Sequence, residues 1–209
     1  MAITYPLNTP TNIGIANITL SAENAVAISQ SPFTYQQQVV SHPGQRWSAT
    51  VSLPPMKRQD AEYWVAFLLS LKGQAGTFLL GDPNCVAPQG SASVTPGTPV
   101  VMGANQVGDT LIIDGLSLNA VSYFLPGDYI QLGSGASTTL HKVLTPTNTT
   151  GGGVATLDIW PSIRTAPADN ATVIISNTKG RFRLKENITQ WQINDISSYG
   201  ITFDCVEAL

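Results

Sequence analysis

The sequence predicts a mainly β protein: a β-sandwich or barrel frame carrying one amphipathic helix, with a small β-barrel inserted into it. Three observations predict this. Uncharged polar residues supply the surface, with 22 Thr, 17 Ser and 12 Asn among 209 residues, while charged residues make up only 11 %. A typical globular chain carries about 25 % charged residues. Eighteen Gly and 14 Pro provide many corners, and Thr and Val suit the pleated surfaces between them. Only one stretch has helical periodicity.

Taken in order, residues 1–92 alternate strand-like runs with turn signals, at Ile13–Leu20, Ala25–Ser29, Phe33–Val40 and Arg46–Leu53. In the last run Trp47, Ala49, Val51 and Leu53 fall on one face, and Arg46, Ser48, Thr50 and Ser52 on the other. That is the period-2 signature of a half-buried strand. Pro54 and Pro55 end it, since neither can donate to a ladder. The helix is expected from Arg58 to Lys72. Its stripe of Ala61, Trp64, Val65, Leu68 and Leu71 follows helical spacing, and Gly73 stands at the C-cap position. Trp64, Val65, Leu68 and Leu71 should therefore lie against a sheet or barrel end. The stretch Gln74–Asn84 reads as a short buried strand closed by a tight turn.

Residues 86–99 are rich in Pro and Gly and carry no charge, so they read as a linker or crossing point. Six short strands follow, at Pro99–Met102, Thr110–Asp114, Asp128–Leu132, Thr138–Leu144, Val154–Trp160 and Thr172–Ser176, with the spacing of a small barrel. Residues 181–184, 190–195 and 201–206 then return to strand patterns. Three strands are too few for a stable unit of their own. They should complete the sheet begun earlier. The expected organisation is a discontinuous frame, residues 1–92 and 179–209, with an inserted barrel at 93–178. The insertion carries five acids and two bases, and the flanks balance at eight each.

Net charge is −3. No basic stripe suggests nucleic-acid specificity, and no apolar run approaches the ~20 residues of a membrane helix. The first 20 residues lack the pattern of a secretion leader. Cys85 and Cys205 are too few for a disulfide scaffold, and free thiols are expected. Catalytic chemistry finds little footing. His42 precedes Pro43-Gly44, and His141 sits within a strand pattern; neither belongs to a motif. Ser176-Asn177-Thr178-Lys179 matches S-x-x-K by letters, without a helix to bring Lys179 back to Ser176. No metal-ligand spacing, P-loop or dinucleotide fingerprint occurs, so no cofactor and no metal is expected. Trp160, Tyr123 and Tyr129, the aromatics of the insertion, are weighed as glycan contacts against core packing.

The stretch Gly44–Gly90 joins a Trp strand ending in Leu53-Pro54-Pro55-Met56 to a helix Asp60-Ala61-x-x-Trp64-x-Ala66-Phe67-Leu68, then to Gly76-Thr77-Phe78-Leu79-Leu80-Gly81-Asp82-Pro83. With Pro126–Gly133, Asp158–Arg164 and the closing Gly180–Leu184 and Tyr199–Leu209, it resembles the distal tail and tail-tip structural proteins of long-tailed (siphovirus-type) bacteriophages and related prophages. The resemblance implies a non-enzymatic virion protein, assembled in the host cytoplasm and placed at the tail tip. It implies a homo-oligomeric ring, a hexamer, acting as an adaptor between tail tube and baseplate hub. The partners implied are the tail tube protein, the tail hub protein and the tape measure protein. The alternative reading is a carbohydrate-binding β module that contacts cell-surface glycan.

Overall fold

The computed structural model describes residues 3–194 and 198–209. In chain order the first elements are β1 (Leu7–Asn8), β2 (Asn17–Gln30), β3 (Gln37–Ser52), β4 (Met56–Lys57), α1 (Arg58–Ser70) and β5 (Phe78–Leu80). Six strands follow: β6 (Val100–Val101), β7 (Gly108–Asp114), β8 (Tyr129–Leu132), β9 (Thr139–Val143), β10 (Ala155–Ile163) and β11 (Val173–Ile174). The chain closes with β12 (Gly180–Leu184), β13 (Gln192–Ile193), β14 (Ser198–Gly200) and β15 (Thr202–Glu207). The protein is mainly β, as the composition predicts. Among the described residues no helix is long and apolar enough to cross a membrane.

The first sheet has the order β1-β5-β12-β15-β3-β2, so strands from both ends of the sequence lie side by side. In β3, Trp47, Ala49 and Val51 point into the core and Arg46 and Thr50 point out, matching the alternation in the sequence. The helix lies on this sheet. Trp64 approaches Phe203 of β15 at 6.3 Å, and Phe67 meets Phe78 of β5 edge-on at 5.5 Å. Trp64, Val65, Leu68 and Leu71 are all buried, and so is Phe67, which stands off the stripe.

Helix α1 ends at Ser70, two residues before the expected Lys72. The amide of Gly76 donates to the Leu71 carbonyl at 2.7 Å, closing the C-terminus back on itself. Lys72 takes the left-handed conformation at φ 52°, and Gly73 follows at φ 66°. A side chain at Gly73 would also meet Asn187, whose Oδ1 lies 2.8 Å from the position of a Cβ. Gly73→Ala should therefore cost about 1–2 kcal/mol through strain and crowding together. Urea unfolding of the variant checks this.

The second sheet has the order β11-β8-β9-β10-β7-β6. Its two edges meet: the Val101 amide donates to Ala171 O (2.9 Å) and the Val173 amide to Pro99 O (3.0 Å). The sheet is thus a nearly closed barrel with few free edges. Its core contains Leu111, Ile113, Tyr123, Phe124, Ile130, Leu157 and Ile159. Ala92 belongs to the same core, and its amide donates to Tyr123 O at 3.1 Å. Part of the expected 86–99 linker is therefore packed structure.

Three further expectations are corrected. The four separate runs from Ile13 to Leu53 are two long antiparallel strands, paired from Asn17↔Ser52 to Gln30↔Gln37. Phe33 sits in the turn between them. A continuous partner ladder overrides the breaks in the local pattern. Likewise β10 does not stop at Trp160 but runs through Pro161 to Ile163. Its pairing with β7 shifts register between Asp158 and Ile163, and an irregular ladder tolerates a residue with no amide proton. The expected strand 190–195 is observed as Gln192–Ile193, and its last residue, Asp195, lies outside the described residues.

Candidate assembly surface

From Ala25 to Gly44 the sequence holds no Asp, Glu, Lys or Arg, and apolar residues alternate with Ser and Gln. Such a segment pairs readily as strands but repels nothing. In the structure it forms the far half of the β2–β3 ribbon, with rungs Val26↔Ser41, Ala27↔Val40, Ile28↔Val39, Ser29↔Gln38 and Gln30↔Gln37. The turn is built locally. The Ser31 amide donates to Gln36 O (2.9 Å), the Tyr35 amide donates to Ser31 O (3.0 Å), and Tyr35 adopts φ 56°.

This half of the ribbon projects as an arm. Every residue from Asn24 to Gln30 and from Gln37 to Gly44 is exposed. Ile28 is 63 % exposed and Phe33 at the tip 91 %, with Val26, Tyr35, Val39 and Val40 also bare. Six residues of strand carry the tip roughly 20 Å beyond the body. An isolated two-stranded hairpin is marginal in water, and its apolar side chains gain nothing from solvent. Along its other side β2 is the edge strand of the first sheet.

The arm meets the body at an irregular joint. Between the rungs Asn24↔Gln45 and Val26↔Ser41, one residue, Ala25, faces three, His42, Pro43 and Gly44. Pro43 has no amide to offer a ladder, so the break falls where pairing is already lost. A Cβ at Gly44 would stand 3.0 Å from that of Ala25.

Immediately below the joint the barrel touches the first sheet. Trp160 stands edge-on to Trp47 at 4.5 Å, and Trp47 lies 6.1 Å from Tyr129. Trp47 Nε1 donates to Leu140 O at 3.0 Å. Arg164 Nη1 donates to Glu207 Oε1 at 2.9 Å, while the Trp47 amide donates to Glu207 Oε2 at 3.0 Å. The buried Glu207 carboxylate is thus satisfied from both sheets.

These contacts locate the three aromatics considered as glycan contacts. Tyr123 is fully buried in the barrel core and its hydroxyl donates to Pro96 O. Tyr129 is buried between barrel and sheet, with Lys142 Nζ 4.5 Å above its ring and donating to its hydroxyl at 3.1 Å. Burial raises the pKa of both phenols above the usual value, Tyr123 to about 12. Trp160 is half-buried, packed at right angles against Trp47, with its Nε1–H donated to Asn24. The structure gathers Tyr129 and Trp160 around Trp47 and leaves Tyr123 apart. Tyr123 and Tyr129 thus present no open ring face on which a sugar stacks, whereas Trp160 stays partly exposed.

Among the described residues no cluster of His, Cys, Asp and Glu could hold a metal. Both cysteines are free, and burial pushes the Cys205 thiol up to about 12, far from a nucleophile's range. His42 is exposed beside the arm joint. His141 is buried in the barrel, with Nδ1 2.6 Å from Pro161 O and Nε2 2.9 Å from Thr139 Oγ1. A carbonyl only accepts, so Nδ1 carries the proton and Nε2 receives the Thr139 hydroxyl. A neutral ring oriented by a carbonyl has no carboxylate behind it, unlike a catalytic base.

Burial holds His141 below its ordinary value, with the Pro161 contact opposing. Unfolded chains therefore bind the proton first as pH falls, and stability declines below the normal histidine range. Between pH 7 and 5 the unfolding free energy should drop by up to ~1.4 kcal/mol per pH unit from this one group. His141→Gln should flatten that slope in urea titrations at the two pH values.

A cleft of about 460 Å³ lies between barrel and first sheet and is lined by residues including Leu132, Thr138, Ile163, Arg164 and Arg181. Its arginines are engaged, Arg164 with Glu207 and Arg181 with the Ala208 carbonyl. The arm was missed in the sequence because its alternation looks the same whether covered or bare. The uncharged run 25–44, unusual for a surface, was the one available signal.

Comparison with protein-family models and with curated proteins finds no match for this chain. Fold and surface together define a mainly β protein with a nearly closed barrel and a projecting, uncharged, apolar hairpin.

Proposed function

We propose that this is a non-enzymatic structural subunit whose copies join into a ring. In the specific form that the sequence resemblance implies, it is the distal tail adaptor of a long-tailed bacteriophage. It would sit at the tail tip of the virion, after assembly in the host cytoplasm, between the tail tube protein and the tail hub, with the tape measure protein as a further neighbour.

The observation that carries this reading is the arm. A bare ribbon of Val26, Ile28, Phe33, Tyr35, Val39 and Val40 on a chain with only 11 % charged residues is a surface made to be covered. Its 20 residues, 25–44, approach the 20–30 per side of a standard protein interface. A hairpin reaching out on one side of the molecule makes a heterologous contact, and such contacts close into rings when the rotation per copy fits. The low charge lowers the desolvation cost of that contact.

Sedimentation velocity and negative-stain microscopy of the full chain test the proposal. The expected result is a ring, with six copies for the hexameric form. A strictly monomeric profile at high concentration, with no binding to tube or hub subunits, would overturn it.

A further inference from the structure

Among the described residues the arm makes no hydrogen bonds to the body: those made by residues 25–44 stay within the hairpin. Its direction is therefore set at its root, the Asn24↔Gln45 rung. Two residues of the barrel strand β10 and Arg164, which directly follows it, grip that rung. Trp160 Nε1 donates to Asn24 Oδ1 at 2.8 Å. The Ser162 amide donates to Gln45 Oε1 at 2.7 Å, with the Ser162 hydroxyl 2.8 Å from the same oxygen. Arg164 Nη2 donates to the Gln45 carbonyl, while its Nη1 is held by the buried Glu207. One residue farther out the ladder breaks, and a cleft of about 260 Å³ lined by Asn24, Ala25, Gly44 and Gln45 leaves room beside the joint.

We infer that the barrel aims the arm through β10 and the residue after it: Trp160, Ser162 and Arg164 are positioning residues that fix the root rung and so the bearing of the hairpin. This gives the barrel a task that the sequence did not suggest. It also explains why Trp160 and Ser162, both in the barrel, spend their polar groups on the other sheet. A broken ladder bends easily, and a ribbon roughly 20 Å long turns a small change of angle at its root into several ångströms at its tip. Coupling of this kind needs a continuous physical link, and here the link is one strand touching one rung. The inference deepens the assembly reading and rests on it for its consequence, since a mis-aimed arm would reach the wrong part of the next copy.

The test reads the arm's bearing directly. Spin labels are placed at Thr34 in the turn and Thr156 on the barrel, in a full-length Cys85→Ser background where Cys205 is buried. The labelled chain is diluted with unlabelled chain so that only distances within one molecule are read. Pulsed dipolar spectroscopy should give one narrow distance distribution for the parent. In Trp160→Phe/Gln45→Ala it should broaden by several ångströms at unchanged melting temperature. Gln45→Ala alone, the milder change, should broaden it less. An unchanged distribution in both variants overturns the inference. Arm variants that alter Ile28 and Val39 separate the two ideas. If they leave rings intact while the root variants still broaden the distribution, the assembly reading fails and the aiming role stands.

Discussion

Ile28→Asp/Val39→Asp should leave the chain folded but abolish the self-association proposed for it. The two side chains face each other across one rung and are exposed in the single chain, so the fold does not depend on them. Opposed aspartates repel across the rung and loosen the hairpin locally by up to about 1 kcal/mol, but neither side chain contributes to the buried core. In an assembly they would be covered. Burying one aliphatic side chain contributes about 1.5–3 kcal/mol, and placing an unpaired carboxylate in the same contact costs several more. Two such changes should weaken association at least ~1,000-fold, since each 1.4 kcal/mol is a factor of ten. Sedimentation velocity reads the loss of the ring, and thermal melting reads the intact fold. Rings of undiminished stability in this variant would show that copies join through another face.

Trp64→Ala should be the most damaging single change to the fold. Its ring is buried between the sheet and Phe67, which it meets edge-on at 5.8 Å. Removing a buried Trp costs about 3–5 kcal/mol, a large fraction of the 5–15 kcal/mol that holds a domain together. Among the described residues the buried indole Nε1–H has no hydrogen-bond partner. Leaving such a donor unpaired costs about 1–3 kcal/mol. Trp64→Phe therefore loses ring volume but sheds that penalty, and should cost less than about 1.5 kcal/mol. Chemical denaturation of the two variants gives the contrast. Equal losses in both would mean that the indole nitrogen is satisfied in solution.

Several elements were legible because they are local. The stripe Ala61, Trp64, Val65, Leu68 reads as a helix at any place in a fold, and the Trp47–Leu53 alternation reads as a strand with one wet face. Burial of the predicted residues follows from those periods, since only one face of each element can be covered. The barrel's strands were visible through their turns, and their ends shifted by a residue or a few, because pairing partners decide where a ladder stops. Pro161 is the clearest case: locally it ends a strand, yet β10 passes through it where the ladder with β7 is already irregular.

By itself, then, the sequence determined the mainly β class, the single helix and its buried face, and the low surface charge. Each of these depends on neighbours a few residues apart. The tertiary structure alone decided which apolar residues were left bare and which polar groups met across 100 or more residues, as Trp160 and Ser162 do with Asn24 and Gln45. Val26, Ile28 and Val39 alternate as a buried strand would, and only the absence of a covering layer makes them an arm. Local period specifies that a face exists; what covers it depends on where distant segments pack.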